Sequence, residues 1–106
     1  MSGVVVVAVF RAKPGRVDEV LAGLRPVIEQ THGEAGCLAY ALHRDNADPD
    51  RLVLVERWTS QVALDSHFQQ PYMAAVGDLA GELLAEPPAI HFCTPLPEGD
   101  PVKGAL

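Results

Sequence analysis

Val4 to Phe10 is an unbroken apolar run, Val-Val-Val-Val-Ala-Val-Phe. Its β-branched residues, closed by Lys13-Pro14-Gly15, predict a strand over Val4 to Ala12 ending in a turn. Successive side chains of a strand point to opposite faces, so a run with no polar residue is apolar on both. Such a strand needs cover on two sides. The same holds for Arg51 to Trp58, where Leu52, Leu54 and Trp58 fall on one face and Val53 and Val55 on the other.

Between the strands lie helical patterns. Val17, Val20, Leu21, Leu24 and Ile28 recur at helical spacing, with Pro26 inside the pattern predicting a kink and Gly33 and Gly36 marking the exit. Cys37 to Asp45 alternates as a strand, and Asn46-Ala47-Asp48-Pro49-Asp50 is a hairpin turn into Arg51. Ser60 is a candidate N-cap for a helix through Phe68, and Pro71 suits the first position of another. Pro87-Pro88 stops that helix before a last strand, Ala89 to Thr94.

The order β-α-β-β-α-β predicts an α+β, ferredoxin-like antiparallel sheet over residues 1–95 with the helices on one face. An extended Pro/Gly-rich tail is expected over residues 96–106. One face of the sheet would then be left as an exposed apolar patch, and a second copy packing sheet against sheet is the economical cover. A homodimer is therefore expected. In this topology Cys37 and Cys93 fall on opposite edge strands, so two free thiols are expected.

Composition closes off several classes. The net charge is −6 with no Lys/Arg cluster, against nucleic acid and anionic membrane as partners. The first apolar run is too short for a signal peptide or a membrane span, so a cytoplasmic location is expected. His32, His43, His67 and His91 are scattered with no metal-ligand spacing, and no Gly-rich phosphate loop occurs, so neither a metal nor a nucleotide cofactor is expected.

The residues most able to carry chemistry cluster around Glu56-Arg57-Trp58 and the helix after Ser60. Glu56 and Trp58 share a strand face. A carboxylate there finds a hydrogen-bond partner or is pushed up in pKa by desolvation. Counting register from the hairpin sets Tyr40 opposite Glu56, so a Tyr40–Glu56 bond is one reading and a catalytic carboxylate the other. His67 shares a face with Leu64 and Phe68, as a structural histidine or as a general base. Trp58 suits the core or a pocket wall, and Tyr72 an aromatic wall with a polar tip.

With Gly36-Cys37-Leu38-x-Tyr40, Asp48-Pro49, Ala63-Leu64-x-x-His67 and Pro71-Tyr72, these segments resemble the antibiotic biosynthesis monooxygenase family of small dimeric α+β barrels. The resemblance runs from Val4 to about Thr94 and implies oxygenation of quinols or anthrones by O₂ without flavin, haem or metal. It implies His67 or Glu56 as the catalytic base, and Trp58, Tyr72, Phe68 and Tyr40 as substrate-binding walls. Haem-degrading relatives use an Asn on the first strand and a His on the last helix, and this chain has neither. Two other readings stay open on the same fold: an isomerase shifting a proton beside a carbonyl, and a small-molecule binding or stress-response module without turnover.

Overall fold

A computed structural model describes residues 3–106, so the first two residues of the expected domain lie outside it. The elements are β1 (Val4–Arg11), α1 (Val17–His32), β2 (Cys37–Arg44), β3 (Arg51–Trp58), α2 (Gln61–Phe68), a 3₁₀ turn (Pro71–Met73), α3 (Ala74–Leu83) and β4 (Ala89–Cys93). The sheet has four strands in the order β2-β3-β1-β4, every pair antiparallel. This is the ferredoxin-like α+β fold that the element order predicts.

β1, the chain's most apolar segment, lies inside the sheet, between β3 and β4. Its register sets Val6 beside Glu56, Ala8 beside Leu54 and Phe10 beside Leu52, and these residues are all buried on the helical side. Val5, Val7 and Val9 alternate to the other face, across from Arg57, Val55 and Val53. That second face carries no helix.

α1 runs unbroken through Pro26. Its buried stripe is Val20, Leu24, Val27 and Thr31, so Val27 takes the deep position expected of Ile28, which is half-buried. A threonine can occupy the last buried turn because its hydroxyl donates to the Val27 carbonyl at 2.7 Å. His32, at the helix end, bonds through Nε2 to the Tyr40 carbonyl at 2.9 Å and so ties α1 to β2.

The hairpin between β2 and β3 is built as its composition suggests. The Asp45 and Asp48 side chains accept from the backbone N–H groups of Ala47 and Asp50, and Asp48 also pairs with Arg11 at 2.8 Å. Ser60 caps α2, its hydroxyl accepting from the Ala63 N–H at 3.1 Å. Leu79 and Leu83 are the buried residues of α3, and the Ala85 N–H bonds the Arg11 carbonyl at 2.8 Å, fastening the helix exit to the end of β1.

The tail departs from the extended path expected. Residues 101–104 form a turn because the Asp100 carboxylate accepts from the Val102 and Lys103 N–H groups, after Gly99 at φ +73°. Cys37 and Cys93 are free thiols on the two edge strands. Among the described residues no helix is long and apolar enough to cross a membrane.

Candidate active site

Three elements converge on one point between sheet and helices. β3 delivers Glu56 and Trp58, β2 delivers Tyr40 opposite Glu56, and the capped helix α2 delivers His67. Glu56 is 5% exposed and His67 1%, deep for ionisable groups in a chain of this size.

Glu56 takes a different donor from the one the register suggested. The Trp58 indole N–H donates to Glu56 Oε1 at 2.9 Å, and among the described residues no Tyr40–Glu56 hydrogen bond forms. Two residues along a strand, the indole reaches back along the same face. Burial pushes the Glu56 carboxyl up to about 7; the indole bond opposes the shift and the nearby Glu34 charge adds to it. The Tyr40 phenol is raised, first by burial and then by the charge of Glu56.

His67 sits in an aromatic cage. Its ring centroid is 4.6 Å from Trp58, 5.4 Å from Tyr40 and 5.4 Å from Phe68. Its Nδ1 lies 2.7 Å from Glu34 Oε2, and the Tyr72 hydroxyl donates to that same oxygen. A carboxylate oxygen accepts, so His67 Nδ1 is the donor to Glu34. Burial and the bond to Glu34 raise the Tyr72 phenol to about 12.

Glu34 is the member that sequence reading missed. It lies in the turn between Gly33 and Gly36, and it meets partners 33 and 38 residues later in the chain. Gly36 is what brings the loop close: a Cβ there would collide with the Ala63 Cβ at the start of α2. A lone acidic residue between those two glycines is the available signal, but no local periodicity marks it.

Tyr40, Glu56, His67 and Phe68 line a common cavity with Ala8, Leu54, Met73, Val76 and Ile90. Its volume is about 50 Å³. Trp58 and Tyr72, expected as walls, stand behind this space and hold Glu56 and Glu34. Outside it, between the 3₁₀ turn, α3 and β4, runs an open apolar groove of about 540 Å³. Among the described residues no group of three metal-binding side chains occurs.

Residues 3–78 match the profile of the family described as Antibiotic biosynthesis monooxygenase. The chain belongs to that family. Rv0793 of Mycobacterium tuberculosis, which carries a provisional name as a monooxygenase, is 38% identical over 92% of this chain and 95% of its own length. The solved structure of Rv0793 superposes with a TM-score of 0.85, covering 93% of this chain and 100% of that one. YgiN of Escherichia coli K12, provisionally named a quinol monooxygenase, is 31% identical over 74% of this chain and 86% of its own. The uncharacterized Synechocystis protein sll1783 is 32% identical over 84% of this chain, which spans 60% of that protein's length. Family membership and these relatives support monooxygenase activity in general.

Proposed function

We propose that the protein is a cofactor-independent monooxygenase acting on a small aromatic quinol or anthrone. The observation that carries this reading is the buried Glu56 carboxyl, raised to about 7 in a largely apolar cavity beside His67. A base of that strength suits an acidic aromatic substrate at neutral pH. Its burial keeps bulk water from solvating the anion.

For an anthrone methylene the sequence is as follows. Glu56 takes one proton from the carbon, leaving an electron-rich, ring-delocalised anion. The anion passes an electron to O₂, the radical pair joins to form a carbon–oxygen bond, and the peroxide takes the proton back from Glu56 to become a hydroperoxide. His67, with Nδ1 held by Glu34, takes the second proton from the same carbon as the oxygen–oxygen bond breaks, and passes it to the departing hydroxide to give water. One CH₂ and one O₂ give one C=O and one H₂O. The carbon is oxidised by four electrons and dioxygen is reduced by four, so no flavin or metal is required by the balance. The name YgiN carries, a quinol monooxygenase, supports the choice of an electron-rich aromatic.

The working unit we infer is a homodimer through the open sheet face. Val5, Val7, Val9, Val53 and Val55 form a continuous half-buried ladder there, with Ala41 beside Val55. A second copy would remove that ladder from water.

The test is turnover of metal-stripped protein on anthrones and naphthoquinols under isotopically labelled dioxygen. One labelled atom in the product carbonyl, with uptake lost in His67→Ala and Glu56→Gln, is the expected result. Turnover that continues without oxygen would assign the site to proton-shifting isomerisation. Binding without any turnover would make it a ligand-binding module.

A further inference from the structure

The buried cavity is too small for the substrate. At about 50 Å³ it has room for a water or a diatomic gas, whereas sites for small organic ligands span roughly 300–1,000 Å³. Its outer wall is formed by Phe68, Met73, Val76 and Ile90, and these same side chains form the inner wall of the apolar groove of about 540 Å³. The two spaces are separated by a single layer of side chains.

That layer is thin and partly open to solvent. Phe68 is 41% exposed and Ile90 43%. Phe68 ends α2, Met73 ends the short 3₁₀ turn, and a methionine side chain has three rotatable bonds and fills irregular gaps. The groove beyond carries no charged residue; Gln70 is its one polar side chain. Its floor includes Gly77, where an added Cβ would meet nothing within 4 Å.

We propose that the groove between α3 and β4 seats the uncharged fused-ring body of the substrate, and that Phe68 and Met73 form the gate through which the reacting carbon reaches Glu56. The inner cavity is then left for the reacting edge and dioxygen. This assignment takes its ligand class from the oxygenase reading above, while the groove and the shared wall stand on the geometry. Met73, Val76, Gly77 and Ile90 become the residues that set which ring systems fit.

The experiment uses an oxidised, unreactive ring, 2-methyl-1,4-naphthoquinone, titrated into the full chain while backbone amide and Trp58 indole shifts are followed by NMR. Saturable shifts at Met73, Gly77 and Ile90, reaching the Trp58 indole N–H through Glu56, are expected. Gly77→Leu should weaken binding by about tenfold or more by filling the groove, with no loss of melting temperature, since leucine favours a helix over glycine. Ala74→Leu on the same wall provides a second blocking variant. Gly81→Leu, equally unobstructed but outside the groove, should bind as the native chain does.

Shifts centred on Gly3, Leu38 and Leu106, which line a separate pocket beside the tail, would overturn the proposal. So would groove shifts that follow protein concentration rather than ligand, native-like binding by both blocking variants, or no saturable binding. Groove binding without oxygen uptake by the reduced ring would instead sink the oxygenase reading and leave the gate standing. Oxygen uptake with unchanged KM in Gly77→Leu would do the reverse.

Discussion

Glu56 is held buried at a cost to the fold. The carboxyl moves from an ordinary value of 4.5 to about 7. Between those values the native protein holds a proton that the unfolded chain has released. Stability therefore falls as pH rises from about 4.5 to about 7 and is level above. Glu56→Gln removes that loss, so the variant should be more stable than the native chain near pH 8, by up to about 3 kcal/mol, with the gap closing towards pH 5. Urea denaturation at the two pH values reads this directly; a pH-independent difference would contradict it. His67→Ala should behave oppositely. It leaves a void beside Trp58 and Tyr40 and strips Glu34 of a partner, with an expected loss of about 2–4 kcal/mol in the same assay. Glu56, Trp58 and His67 were legible in the sequence because strand alternation and a capped helix place them. Glu34 was not, because its role is set by a loop meeting a helix that forms much later in the chain.

Among the elements, α2 decides whether the site is assembled. Its hydrophobic face is short, with Leu64 and His67 as its buried residues, so the cap and the contact at its first turn carry much of its placement. Ser60→Ala should cost about 1 kcal/mol. Gly36→Ala should cost about 1–3 kcal/mol, because the new Cβ meets the Ala63 Cβ and pushes α2 away from β2. That displacement also opens the Glu34–His67 bond, so Gly36→Ala should change the imidazole NMR signals of His67 while Ser60→Ala leaves them near their native positions. Equal effects on His67 would contradict the account. The strands and helices were legible from periodicity and turn residues, down to the register that sets Tyr40 beside Glu56. The donor to Glu56 was not, since register fixes which backbones pair and leaves open which side chain reaches. The tail was misread for a related reason: Pro and Gly content suggested an extended path, but a single aspartate at 100 gathers the following N–H groups into a turn.

At the scale of the molecule, one sheet face is covered by helices and the other is a valine ladder. We expect Val55→Asp, set between Val7 and Ala41, to convert the proposed dimer to monomers in sedimentation velocity, whereas Val62→Asp on the exposed side of α2 leaves the assembly unchanged. Dimers persisting in Val55→Asp would place the interface elsewhere. Between the two layers, we propose, the buried Glu56 carboxylate deprotonates the substrate and dioxygen takes its electrons without a cofactor. The most direct test is the pH dependence of oxygen uptake by metal-stripped protein on an anthrone, native chain against Glu56→Gln. The account predicts a rate that rises with pH through about 7, where Glu56 loses its proton, and a fall of about 10²–10⁴-fold with loss of that inflection in the variant. Native-like uptake and an unchanged inflection in Glu56→Gln would show that the carboxylate is not the base.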